Sequence, residues 1–189
     1  MTPIAETRGG LVYVMGPSGA GKDTLIEYAR ARTDPTAVAF AHRFITRSAE
    51  AGGENHVMLS DTEFAARREA GLFALSWNSH GFWYGIGVEI DLWLNHGLIV
   101  VVSGSRAAWP QAKARYPGLL GLMIEAPPAV RAARLAARRR ENEDAIRARL
   151  ERDVSLPDEE LRRIDNVGTV AAAGNKLVEL LQRAAFPSR

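Results

Sequence analysis

Apolar positions along the 189-residue chain follow two alternating rhythms, short unbroken runs and longer stretches at helical spacing. The runs Leu11–Met15 (LVYVM), 98–102 (LIVVV) and 119–124 (LLGLMI) have no polar face, as expected of strands covered on both sides of a parallel sheet. A further extended stretch is predicted over 38–44, and two more over 72–77 and 82–86 flank the turn Asn78-Ser79-His80-Gly81. Helices are predicted over 22–32, ended by Asp34-Pro35, and over 60–70, opened by the capping box of Ser60 and Glu63 and closed by Gly71. Two more are expected over 88–96, stopped by Gly97, and over 106–116, where Pro110 is tolerated only near the first turn. Pro127 opens an arginine-rich helix, a polar break falls at 141–144, and a second helix runs to Asp153. Residues 169–185 form a closing amphipathic helix, and 48–55 (SAEAGGEN) a polar loop. This alternation gives an α/β fold with a central, mainly parallel sheet flanked by helices.

Composition narrows the chemistry. The length suits one compact domain, and 47% hydrophobic residues suffice for a core. With no cysteine, the chain has no disulfide, thiolate-bound zinc, iron–sulfur cluster or cysteine nucleophile. No apolar run approaches the ~20 residues of a membrane span. The first residues, MTPIAETRGG, have neither a basic nor an apolar segment of the signal-peptide kind, so a cytoplasmic protein without membrane partners is expected. A net charge of +2 indicates no particular partner. Arginines cluster between Arg131 and Arg152, but Glu141, Glu143, Asp144, Glu151 and Asp153 dilute them. That segment reads as a solvated face or a small-anion site, and no nucleic acid partner is expected. The four histidines show no metal-ligand spacing.

The strongest motif follows the first strand. Gly16-Pro17-Ser18-Gly19-Ala20-Gly21-Lys22 matches G-x-x-x-x-G-K, the phosphate-binding P-loop. Its glycines let successive amides turn inward as a nest for anionic oxygens, and the helix that follows adds the positive end of its dipole. Lys22 supplies a cation for the β- and γ-phosphates of a nucleotide. The next residue is Asp23, where the pattern has Ser or Thr to ligate Mg²⁺. A carboxylate beside a triphosphate is repulsive unless a cation stands between them. Asp23 is therefore expected to reach Mg²⁺, with Thr24 as the rival ligand.

GPSGAGKDTL, Ile45-Thr46-Arg47, Tyr84-Gly85 and the arginine-rich helix pair together resemble the guanylate-kinase branch of the P-loop kinases, over nearly the whole chain. The resemblance implies a core of about 8–42, 88–130 and 151–189, an acceptor subdomain of about 43–87 and a helical lid of about 131–150. Arg134-Leu135-x-x-Arg138 and Arg149-Leu150 match the lid pattern, making Arg138 and Arg149 the arginines that close over the transferred phosphoryl group. Guanine-reading positions depart from that family. Its acidic residue after the acceptor helix falls at Leu75, and its acidic strand end is replaced by Val102-Ser103-Gly104-Ser105. Its second phosphate-binding arginine falls at Glu50, and its tyrosine before the acceptor helix at His56.

The strings HRFITR, GGENH, WYGIGVEIDLWL and SGSRA are similar instead to a sugar-phosphate branch of the family, active in phosphonate catabolism. That branch uses ATP and Mg²⁺ to phosphorylate the 1-phosphate of ribose 1,5-bisphosphate, giving 5-phosphoribosyl 1-diphosphate and ADP. A bisphosphate acceptor needs cations for two phosphates, and Arg43, Arg47, Arg106 and His56 are the candidates, with the Tyr84 hydroxyl as a neutral donor. The partner expected is thus a small phosphorylated sugar, bound by a monomer or homodimer. A guanylate or other nucleoside monophosphate kinase is the alternative enzyme. A non-catalytic guanylate-kinase-like binding module is the alternative of another class, although retention of Lys22, Arg138 and Arg149 speaks for catalysis.

Overall fold

The computed structural model describes residues 9–48, 56–79, 81–137 and 161–185. Among the described residues fifteen elements follow one another: β1 (Leu11–Met15), α1 (Lys22–Arg30), β2 (Val38–Phe40), β3 (Arg43–Ile45), β4 (His56–Met58), α2 (Asp61–Glu69), β5 (Phe73–Ser79), β6 (Phe82–Gly87), α3 (Glu89–Asn95), β7 (Ile99–Ser103), α4 (Trp109–Arg115), β8 (Leu120–Glu125), α5 (Pro128–Ala137), β9 (Arg162–Asp165) and α6 (Val170–Ala185). They build the α/β fold that the sequence pattern predicts. Among the described residues, no helix is long and apolar enough to cross a membrane.

Five strands form a parallel sheet in the order β2-β7-β1-β8-β9. Every residue of β1 and β7 is buried, which explains why neither carries a polar face. Alternation along β1 divides the core. Val12 and Val14 pack with Leu25 and Ala29 of α1 and Leu177 and Leu181 of α6, while Leu11, Tyr13 and Met15 pack with Ile90, Trp109 and the second sheet. Fully burying a side chain of this size stabilises by roughly 1.5–3 kcal/mol, so the two-sided burial fixes β1 strongly. The first loop and the turn after β7 emerge side by side at the carboxyl edge of the sheet, where open α/β sheets bind ligands.

The second sheet runs β4-β3-β6-β5, with β3 parallel to β4 and antiparallel to β6. Here the structure differs from the single strand expected over 38–44. Phe40 ends β2 in the first sheet, the chain crosses at 41–42, and Arg43 begins β3 in the second. The stretch contains no glycine or proline, so the change of sheet leaves no mark in the sequence. Strands β4 and β9 are likewise absent from the pattern. Each lies at the edge of its sheet, and the exposed Arg162, Arg163 and Asp165 disguise β9 as a polar linker. The break at 141–144, the helix to Asp153 and most of the loop at 48–55 lie outside the described residues.

Helix α6 closes one face of the first sheet and meets α1 through Gly174. A Cβ at Gly174 would collide with the Tyr28 ring, whose hydroxyl donates to Asn175 Oδ1 at 2.8 Å and whose face carries the Arg32 guanidinium at 3.7 Å. Gly174→Ala would gain up to ~1 kcal/mol of helix propensity. Overpacking against a pinned ring costs about 1–3 kcal/mol. The substitution is therefore expected to lower the denaturant midpoint with an unchanged m-value, whereas a raised midpoint would show that Tyr28 moves aside freely.

Candidate phosphoryl-transfer site

The loop between β1 and α1 is held in a left-handed form that only glycine adopts easily: Gly19 has φ 81° and Gly21 φ 88°. The fold also presses on it from behind. A Cβ at Gly19 would lie 2.8 Å from the Arg131 carbonyl oxygen, and one at Gly21 would strike the Asn166 amide. Asn166 Nδ2 donates to the Ala20 carbonyl at 2.7 Å, and Arg134 donates to the same carbonyl at 3.2 Å and to the Asn166 carbonyl at 2.9 Å. Gly21, the N-cap of α1, has no side chain of its own to take the first amides of that helix. The outcome is a concave set of donors suited to an anion.

Beside this nest, Lys22 Nζ donates to Asp23 Oδ1 at 2.8 Å and to Ser103 Oγ at 2.9 Å. Ser103 Oγ in turn donates to Asp23 Oδ1 at 3.3 Å, and Arg43 Nη2 reaches the same oxygen at 3.3 Å. Arg43 is buried, only 8% exposed, although it is charged. Its guanidinium lies 5.6 Å from the centroid of the Tyr84 ring, which itself stacks on Trp77 at 5.6 Å with an interplanar angle of 6°. Burial works to raise the Asp23 carboxyl, but Lys22 and Arg43, with the hydrogen bonds from Lys22 and Ser103, hold it well below the usual carboxylate range. Burial likewise pulls the Arg43 guanidinium below its usual value, with Asp23 and Tyr84 acting in the opposite sense and Arg47 adding repulsion.

The structure thus brings Lys22, Asp23, Arg43 and Tyr84 together from the candidates named by sequence. Thr24 follows on α1 and is exposed. Arg47 stands at the end of the β3 segment, and the buried His56 directs Nε2 to the Arg47 carbonyl at 3.1 Å, ordering that backbone. Arg106 is half-buried in the turn after β7. Arg138 and Arg149, expected from the resemblance to lie on a lid, fall outside the described residues. Asp91, on the helix after the Tyr84 strand, accepts from Tyr116 at 2.5 Å and Arg115 at 3.0 Å.

Three participants are absent from the site residues named by sequence. Ser103 begins the SGSRA string and ends a buried strand, and what points to the site is its position at the carboxyl edge beside the P-loop. Asn166 follows β9, which the pattern does not reveal. Tyr13 reads as ordinary core, yet its hydroxyl donates to the Ser105 carbonyl at 2.8 Å and accepts from the Ser105 amide at 2.9 Å. It thereby braces the turn that carries Ser103 and Arg106.

Comparison with known proteins bears on this geometry. No family model matches the chain. The chain is 58% identical over 175 residues to the ribose 1,5-bisphosphate phosphokinase PhnN of Burkholderia mallei (strain SAVP1), covering 91% of this chain and 95% of that protein. It is 52% identical over 184 residues to the protein of the same name from Desulfomicrobium baculatum, covering 95% and 97% of the two chains. Among solved structures, guanylate kinase from Anaplasma phagocytophilum matches with a TM-score of 0.65 at 14% identity, over 95% of this chain and 88% of that one. At that identity the likeness is one of fold.

The charge cluster also sets an acid limit. Because the Asp23 carboxyl titrates lower in the folded chain than in the unfolded one, its pairing stabilises the fold above the unfolded carboxylate pKa of ~4 and is lost as pH falls below it. Asp23→Asn is expected to be less stable than the wild type at pH 6, by about 1–3 kcal/mol. The gap should narrow steadily on going to pH 2 in denaturant titrations. A gap independent of pH would show that the carboxylate charge contributes nothing.

Proposed function

The chain belongs to the ribose 1,5-bisphosphate phosphokinase family, and from that premise we propose that it transfers the γ-phosphoryl group of ATP to the 1-phosphate of ribose 1,5-bisphosphate in phosphonate catabolism. A 1-phosphate oxygen forms the new bond to the γ-phosphorus as the bond to the β,γ-bridging oxygen breaks. The products are 5-phosphoribosyl 1-diphosphate and ADP. The observation that carries the reading is the cluster of Lys22, Asp23, Arg43 and Ser103, which links the nucleotide-binding nest to a cation on the second sheet.

Each residue has a role in this scheme. Residues 16–24 take the nucleotide phosphates, with Lys22 on the β- and γ-oxygens. Strands β3 to β6 belong to the acceptor subdomain, where Arg43, Arg47 and Arg106 neutralise the two acceptor phosphates, Tyr84 donates from its hydroxyl and His56 holds the Arg47 backbone. Arg138 and Arg149 close over the moving phosphoryl group and stabilise charge on its equatorial oxygens. The acceptor oxygen needs no general base, because the second pKa of a phosphate monoester is about 6. Catalysis then reduces to alignment and charge stabilisation.

Mg²⁺ fits the residues present. Asp23 is held ionised, its described hydrogen bonds all fall on Oδ1, and Oδ2 remains for a cation, with the exposed Thr24 hydroxyl one position further along α1. Asp23 and Thr24 would hold the ion, which when bound neutralises phosphate charge. Guanine, by contrast, finds no carboxylate at Leu75, which is buried in the apolar core, or at Ser103. A cytoplasmic enzyme, monomeric or homodimeric, accords with these roles.

Phosphorus NMR tests the reading directly. With Mg·ATP and ribose 1,5-bisphosphate, GMP, AMP or ribose 5-phosphate offered separately, diphosphate product is expected from the first alone. Lys22→Met should slow that reaction by ~10²–10³-fold. Turnover of GMP instead would make the protein a nucleotide kinase, and ADP formation with none of them would remove the acceptor assignment.

A further inference from the structure

Asp23 Oδ1 is a meeting point of three elements: Lys22 of α1 at 2.8 Å, Ser103 at the end of β7 at 3.3 Å, and Arg43 of β3 at 3.3 Å. Lys22 and Arg43 differ in what they are free to do. Lys22 is the cation that an arriving phosphate claims, so its hold on Asp23 is given up when the nest fills. Arg43 is fixed by its surroundings. Its backbone pairs with His56 on one side and Ile86 on the other, its side chain is buried, and the Tyr84 ring lies under its head group. Without Arg43, a filled nest would face a carboxylate held only by the neutral Ser103 hydroxyl, in the first turn of the helix that binds its phosphates.

We propose that Arg43 is the standing counter-ion of Asp23, a positioning residue through which the second sheet sets the affinity of the first for nucleotide. This rests on the phosphate-loop reading and is independent of which acceptor the enzyme uses. It assigns Arg43 a second role, one exerted on a ligand that it does not touch. It also explains how a carboxylate is accommodated at the position after the P-loop lysine: the compensating charge is resident in the protein, whether or not a metal ion accompanies the nucleotide. The two residues are therefore a matched pair, and the damage from losing the arginine should be undone by losing the aspartate as well.

The test is calorimetric titration with ADP in EDTA, so that no metal ligation contributes. Arg43→Met is expected to weaken ADP binding about tenfold, since an uncompensated charge within a few ångströms acts at low effective dielectric. Adding Asp23→Asn to that variant should restore affinity to within about twofold of the wild type. Arg43→Lys should bind close to the wild type, and Asp23→Asn alone at least as tightly as it. Circular dichroism identifies any variant that fails to fold, and the Lys and Asn single variants then decide the matter without Arg43→Met. Unchanged binding by Arg43→Met, a double variant no better than the single one, or weaker binding by Asp23→Asn alone would each overturn the proposal. Failure of the wild type itself to bind ADP would sink the phosphate-loop reading, and this inference with it.

Discussion

Two polyanions meet end to end only where positive charge is already fixed in place, because water supplies it diffusely and must reorganise to do so. In this protein the requirement is met by packing. Strand β1 is buried on both faces between β7 and β8, so the loop after it and the turn after β7 have a set spacing. Lys22 and Ser103 come from those two exits, and Arg43 arrives from the other sheet. A buried arginine is costly unless it is paired, and Asp23 supplies the pairing while also holding Lys22. The cluster is thus set by the protein's own packing.

The second sheet gains its place from the crossing at 41–42 and from aromatic packing. Phe64 stacks on Phe73 at 4.5 Å and Trp83 at 5.9 Å, and Trp77 stacks on Tyr84. These contacts settle the orientation of β5 and β6, and the pairing of β6 with β3 carries that to Arg43. Tyr13 performs the equivalent service on the first sheet by gripping both polar groups of the Ser105 peptide. Neutral groups within the core therefore govern where the charged ones stand at the edge.

How much of this was legible beforehand depended on periodicity and motif. The double-sided burial of β1, β7 and β8 leaves an unbroken apolar run, which is why the α/β fold could be read from the pattern. The P-loop was readable because its backbone demands glycine at Gly19 and Gly21. Tyr84 and Arg47 were named from resemblance and Arg43 from the charge that a bisphosphate acceptor demands, and no spacing rule would have paired Arg43 with Asp23, twenty positions away and on the second sheet. Ser103, Asn166 and Tyr13 were opaque for a common reason. Each acts through hydrogen bonds that depend on strand order, and strand order is not written in local composition.

Arg134 and Asn166 tie α5 and the β9 exit to a single carbonyl, that of Ala20 inside the phosphate loop. The last turns of α5 are therefore moored to the loop itself. A shift of that helix is felt at the loop's peptide planes, and a tightening of the loop is felt along the helix.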